Sequence, residues 1–246
     1  MFADILLVSD GLLQVVESID KQLLLAVNGS DSPFLDRLVC FLTEGETWIP
    51  LYLGLLYMVL KNNNSIAKLL SVLGAVAACY LITGCFDDTI VKTLVARWRP
   101  THDPDIGMMV QIVDGYRGGH YGFFSAHACN TISVAIFFYW LTRNRTLTTT
   151  LVFWSLLNCW TRLYLGVHYP SDILVGLIWG FCAATGVYYI YSRLMQRLYL
   201  DKQPISIHYT QSGYEHKDFI VPVIIFCLTL LFAVLKALII GTDIKS

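Results

Sequence analysis

Residues 66–91 read IAKLLSVLGAVAACYLITGCFDDTIV. Between Lys68 and Asp87 the stretch carries no charge, and nothing in it forces a turn before the two aspartates. Wound as an α-helix at about 1.5 Å per residue, it is long enough to cross a hydrocarbon layer about 30 Å thick. The same reading extends outward to five more stretches, near 47–61, 126–142, 147–165, 171–193 and 219–240. The first of these is short, and Pro33–Thr43 is expected to form a half-buried companion to it, with Gly45 breaking the two apart.

Composition supports this reading. The 246 residues are 56% hydrophobic and only 14% charged, with a net charge of −1 and a mean hydropathy of +0.58. Ordinary soluble domains carry roughly 25% charged residues, and a soluble chain this apolar would have too much apolar surface to hide. Disorder is excluded for the same reason. The near-neutral charge offers no basic face to nucleic acid.

The expected fold class is all-α: a polytopic membrane protein of six transmembrane helices preceded by an N-terminal amphipathic segment. One membrane-embedded domain over 1–246 is expected, with an interfacial region at 1–46 and a six-helix core at 47–240. Residues 2–27 alternate apolar clusters with Asp4, Asp10, Glu17, Asp20 and Lys21 at roughly helical spacing, as in a helix lying on a membrane surface. The segment lacks a short basic start and a small-residue cleavage site, so it is expected to stay on the mature chain. Cys40, Cys79, Cys85, Cys129, Cys159, Cys182 and Cys227 mostly sit in apolar stretches without metal-ligand spacing, and read as small buried hydrophobes.

Sidedness follows from the cations in the connections. Lys61, Lys68, Arg143, Arg145, Arg193, Arg197, Lys202 and Lys217 lie on one side, with only Asp201, Glu215 and Asp218 among them. That side is expected to be cytoplasmic and both termini to lie outside. The other side holds Lys92, Arg97, Arg99, Arg117 and Arg162, several of which have a chemical reading.

Charges near membrane depth cost about 2.5–3.5 kcal/mol each on insertion scales, so a cluster of them usually has a task. Lys92 and Arg99 are seven residues apart, two helical turns, and share a face if the helix continues to Pro100. An ammonium and a planar guanidinium together suit a phosphate; snorkelling cations at a membrane edge would look the same. Ser125-Ala126-His127 opens the next helix, with Ser125 as N-cap and free amides that suit an anion. His127 would stand beside that anion. In the run Arg162–Asp172, Gly166 suits a helix end and Pro170 the next helix start, leaving His168 on the turn. Asp172 is then placed to take the imidazole Nδ1–H and leave Nε2 nucleophilic.

Lys92-x6-Arg99-Pro100, Ser125-x-His127 and Arg162-x5-His168-x3-Asp172 together resemble the three-part signature of the type 2 phosphatidic acid phosphatase family, over roughly residues 33–195. The resemblance implies that Lys92, Arg99, Ser125, the Ala126 amide and Arg162 hold the phosphate. It makes His168 the nucleophile that becomes a phosphohistidine, Asp172 its orienting partner, and His127 the donor of a proton to the leaving oxygen. It implies no cofactor and no metal.

Two departures stand out: Phe124 and Ala126 occupy positions that are proline and glycine in the family pattern. Thr161 replaces a serine. Asp87 and Asp88 are candidates to pair with Arg97, to repel a second phosphate, or simply to end a helix in solvent. The glycine-rich 101–124 loop reads as a lid, a lipid entrance or a flexible connection. His102 and His120 match no motif position, and Arg97 and Arg117 could meet an anionic headgroup.

The resulting expectation is a bacterial inner-membrane phosphatase whose partner is a phosphorylated lipid at the periplasmic face. Undecaprenyl diphosphate and lipid A phosphate lead the candidate substrates, followed by phosphatidate and phosphatidylglycerophosphate. A lipid phosphotransferase using the same histidine and a catalytically silent lipid-binding protein are the rivals.

Overall fold

Apolar runs bounded by caps and turn residues form helices where the hydrophobic pattern places them. The computed structural model describes residues 2–198, 209–210 and 213–239. Asp201 and Lys202, used in the charge count, and the final residue of the 219–240 run lie outside the described residues. In chain order the helices are α1 (Phe2–Val27), α2 (Pro33–Thr43), α3 (Ile49–Asn62), α4 (Ile66–Val95), α5 (Ala126–Thr142), α6 (Arg145–Tyr164), α7 (Pro170–Leu198) and α8 (Ile220–Ile239). Strand pairing among the described residues is confined to two isolated bridges, Trp98 with Tyr121 and Tyr209 with Glu215.

All six expected spans are helical, and α2 is the companion expected before the first. Ser32 caps α2 by accepting the Leu35 N–H, and a short 3₁₀ turn over Gly45–Trp48 separates α2 from α3. Among the described residues three helical segments are long and apolar enough to cross a membrane: Ile66–Val95, Pro170–Leu198 and His216–Ile239. Six spans is therefore more than length and composition alone establish. The 14 residues of α3 cover only about 21 Å at 1.5 Å each, and the 17 of α5 about 26 Å.

Helix α7 packs closely on α5 through two glycines one turn apart. A methyl group built on Gly176 would lie 2.8 Å from the Ser125 carbonyl oxygen, and one on Gly180 would lie 2.4 Å from that of Cys129. Small residues spaced by four let helix backbones approach where apolar surface gives no driving force between helices, as in lipid. Ala184, fully buried, continues the stripe. The contact fixes the start of α5 against the start of α7, so it sets the relative position of two motif segments. Trp48, closing the 3₁₀ turn before α3, interlocks with Trp154 of α6 and Phe226 of α8, with ring centroids 5.8 and 5.9 Å away.

At one end of the bundle the connections after α3 and before α8 are tied together. Lys61 Nζ lies 2.6 Å from Asp218 Oδ1, Asn62 donates to Asp218 Oδ2, and Asn63 donates to the Tyr214 hydroxyl. The other end gathers α1, the loop after α4, and the α6–α7 turn. There α1 buries Leu24 against Ile106, Val110 and Tyr169 while leaving Leu13, Val16, Ile19 and Leu23 exposed. An exposed apolar stripe on a helix anchored by one buried turn is what an interfacial helix requires.

Candidate active site

The second motif folds as its residues dictate. The Ser125 hydroxyl accepts the Ala128 N–H, and the Ser125 N–H donates to the Asp172 carbonyl at 3.1 Å, joining the starts of α5 and α7. The third motif closes α6 with Gly166, whose φ of +66° suits a residue lacking a Cβ. Gly166 N–H bonds Leu163 O and Val167 N–H bonds Arg162 O, satisfying the last carbonyls of the helix. His168 is left on the turn, 1% exposed, with Asp172 fully buried one turn into α7.

The first motif departs from the expected helix. α4 widens over its C-terminal half: the Phe86 N–H reaches Leu81 O and the Lys92 N–H reaches Asp87 O, five residues back rather than four. Ala96 then adopts a left-handed conformation, φ 50°, and the helix ends at Val95. Lys92 and Arg99 therefore do not share a helical face. Arg99 sits on extended backbone, its N–H bonded to His120 O, while Gly122 N–H bonds Arg97 O. Widened turns of this kind are often found at functional sites. Here the first such turn accompanies Thr83 bonding Asn130 of α5, and the second leaves Asp87 fully buried.

Around His168 the geometry is specific. Arg99 Nη1 stands 3.3 Å from His168 Nε2, and Arg99 Nε donates to Tyr121 O at 3.0 Å. A guanidinium has no acceptor, so Nε2 is the acceptor in that contact and the ring proton belongs on Nδ1. Asp172 Oδ2 lies 3.7 Å from Nδ1, beyond hydrogen-bond distance, and accepts the Tyr169 N–H at 2.9 Å instead. Nδ1 is buried without a hydrogen-bond partner. The expected Asp172–imidazole hydrogen bond is thus a near approach, because the carboxylate is already committed to other donors. Burial first, then Arg99, Arg162 and Lys92, hold the imidazole well below the ordinary histidine range, with the Gly122 backbone opposing them.

Arg162 is 1% exposed at the end of α6. It donates from Nη1 to the Thr43 hydroxyl at 2.5 Å and from Nη2 to the Tyr116 hydroxyl at 3.0 Å, while Nε is buried without a partner. His127 lies within electrostatic range of His168, Arg99, Arg162 and Lys92. It also lines an apolar cavity of about 690 Å³ among α3, α4, α5 and α6, walled by Trp48, Leu55, Val76, Phe138 and Trp154.

Comparison with known proteins gives this arrangement a family. The PAP2 superfamily model matches residues 68–196, which include all three motifs. The chain belongs to that superfamily. It is 38% identical over 199 residues to a lipid A 4'-phosphatase of Bacteroides thetaiotaomicron, a match covering 77% of this chain and 84% of the relative. It is 34% identical over 185 residues to a lipid A 4'-phosphatase of Porphyromonas gingivalis, covering 74% and 77% respectively. No solved structure matches. As a PAP2 member with these relatives, the chain is an integral-membrane phosphatase acting on lipid phosphate esters.

The PAP2 motifs come together from three separate segments, and the structure decides two readings that the sequence leaves open. Asp87 and Asp88 take Lys92 rather than Arg97: Lys92 Nζ lies 2.9 Å from Asp87 Oδ2 and also pairs with Asp88 Oδ1. Asp87 Oδ1 accepts the Phe124 N–H at 3.2 Å, tying the first motif to the residue before the second. Arg97, read as a headgroup contact, turns inward and pairs with Asp172 at 2.6 Å and Asp20 at 2.7 Å.

The 101–124 loop is pinned at several points. Ile106 and Val110 pack on Leu24, Val113 packs beside Val39 and Tyr164, Thr101 bonds Arg117 O, and Tyr116 bonds Arg162. Sequence reasoning assigned no role to Tyr116, Thr43 or Asp20. Only the tyrosine had a local signal, an aromatic placed among glycines in a loop too long to be a simple connection.

Among the described residues no group of three His, Cys, Asp or Glu could hold a metal ion.

Proposed function

We propose that this PAP2 protein removes a phosphate monoester from lipid A at the periplasmic face of the bacterial cytoplasmic membrane, through a phosphohistidine on His168. One observation carries the mechanism: Arg99 Nη1 at 3.3 Å from His168 Nε2, the atom that would attack phosphorus. The contact favours the tautomer with Nε2 unprotonated and puts a cation where the phosphate oxygens would lie. Lipid A is favoured over undecaprenyl diphosphate because both relatives carry the lipid A 4'-phosphatase name.

In this reading Arg99 and Arg162 stabilise the charge on the three equatorial oxygens. Ser125 and the first amides of α5 complete the cradle, and Lys92, offset by Asp87 and Asp88, contributes less. Nε2 forms the N–P bond as the P–O bond to the sugar breaks, and His127 delivers a proton to the departing oxygen. His127 then takes a proton from the water that cleaves the N–P bond and frees inorganic phosphate. No metal enters the scheme. The apolar cavity beside His127 has the chemistry for a hydrocarbon chain, and the exposed apolar stripe of α1 suits the interface above it. A six-span core over 47–240, with the interfacial region at 1–46, is part of the proposal.

The test is phosphate release by the detergent-purified protein in EDTA, offered lipid A, undecaprenyl diphosphate, phosphatidate and phosphatidylglycerophosphate in turn. Release from lipid A, abolished in His168→Ala, is the expected result. Release from undecaprenyl diphosphate alone would overturn the substrate, and an active His168→Ala would overturn the nucleophile.

A further inference from the structure

Asp20 belongs to none of the three motifs and lies on α1, outside the region matched to the superfamily, yet it is 3% exposed. Its Oδ1 accepts the Ser171 N–H at 2.9 Å, and its Oδ2 accepts Arg97 Nη2 at 2.7 Å and the Ser171 hydroxyl. Arg97 Nη1 reaches onward to Ser171 Oγ at 2.7 Å and Asp172 Oδ1 at 2.6 Å. Beneath the guanidinium, 4.4 Å away, lies the Tyr169 ring, whose hydroxyl donates to Asp103 at 2.6 Å. Lys21, the next residue, is occupied by Glu17 and Asp105, so it does not compete for Asp20.

We propose that Asp20 is a positioning residue of the phosphatase reaction, acting through Arg97 on Asp172. The inference rests on His168 being the nucleophile. Attack by Nε2 leaves positive charge on the ring, and the only carboxylate within 4 Å of it among the described residues is Asp172. The other charged or titratable groups facing the ring are Arg99, Arg162, Lys92 and His127, with Asp87 and Asp88 already bound to Lys92. If Arg97 answered to Asp172 alone, that pair would sum to zero and leave nothing to offset the new charge. Shared between Asp20 and Asp172, Arg97 leaves one net negative charge beside the imidazole while still fixing where the Asp172 carboxylate sits. Oδ2 of Asp172, held by the Tyr169 N–H, then faces Nδ1. The interfacial helix is in this way a component of the active centre, and α1 must be docked for the carboxylate to act.

The experiment uses the full-length protein in detergent with lipid A as substrate, comparing Asp20→Asn, Asp20→Glu, Arg97→Gln, the Asp20→Asn/Arg97→Gln double variant and His168→Ala. Asp20→Asn keeps the size of the side chain and removes its charge. The expected result is a kcat at least about tenfold lower with KM changed by less than about twofold, the signature of an interaction that matters in the transition state. Asp20→Glu should recover part of that loss, and Asp20→Asn should add almost nothing in the Arg97→Gln background, since coupled residues are not additive. Unchanged kcat in Asp20→Asn, or a loss as large in the Arg97→Gln background as in wild type, would overturn the inference. So would a loss that follows the folded fraction seen by size exclusion and is not rescued by Glu. Activity retained in His168→Ala would instead remove the nucleophile reading, whatever Asp20 does.

Discussion

The two ends of this helical bundle use charge in opposite ways. At the end away from His168, Lys61 meets Asp218, with Asn62 and Asn63 filling the remaining bonds, and the pair closes two connections. Around His168 the cations Lys92, Arg97, Arg99 and Arg162 gather with Asp20, Asp87, Asp88 and Asp172, yet the pairing is uneven. Lys92 has Asp87 and Asp88, and Arg97 has Asp20 and Asp172. Arg99 and Arg162 have no carboxylate within 4 Å among the described residues; carbonyls, an imidazole and hydroxyls hold them. Neutral acceptors orient a guanidinium without cancelling its charge. The comparison therefore separates cations that are part of the scaffold from cations left electrostatically unanswered, and the second kind is what an arriving phosphate needs.

Substitutions can break that distinction. The largest effect is expected where the unanswered cations are replaced: Arg162→Lys and Arg99→Lys should each lower kcat/KM by about 10²–10³, the range for losing one preorganised donor, measured as phosphate release. Arg97→Lys keeps the charge but not the fork that spans Asp20 and Asp172, and should cost about tenfold, chiefly in kcat. Packing comes next. Gly180→Ala would put a methyl against the Cys129 carbonyl and should destabilise the protein by about 1–3 kcal/mol, read as a lower melting temperature in detergent. Asp218→Asn, at the end away from His168, should lower the melting temperature by a few degrees and leave turnover of the folded enzyme unchanged.

The pH dependence sharpens the same contrast. His168 is held well below the ordinary histidine value of about 6.5 by burial and by the cations around it. The ring stays neutral as pH falls through 6.5, so the acid limb of kcat against pH should lie below that value. In the unfolded chain the imidazole takes up a proton first. The stability contributed by keeping it neutral is therefore present above 6.5 and is lost as pH falls toward the folded value. A limb at or above 6.5 would mean that the buried site does not set the protonation of His168.

Much of the site was legible because its motifs are local. The Ser125 cap, the Gly166 turn and the Pro170 start each depend on neighbours within a few residues, and each formed as its residues suggested. Lys92 and Arg99 share a helical face only if the helix continues to Pro100. Their seven-residue spacing matched two turns, but the widened turns and the left-handed Ala96 ended the helix before Arg97. The partner of Arg97 is not legible locally, since Asp20 lies 77 residues away and nothing in the sequence couples them.

Sequence alone determined the membrane class, the helical segments, the caps and the three-part motif. All of these follow from hydrophobic length, helical period and backbone preferences acting over a turn or two. Which carboxylate neutralises which cation was decided only by the tertiary structure. Ion pairing depends on distances of about 3 Å between side chains from different helices. Those distances are set by the close α5–α7 contact at Gly176 and Gly180 and by the docking of α1 over the site.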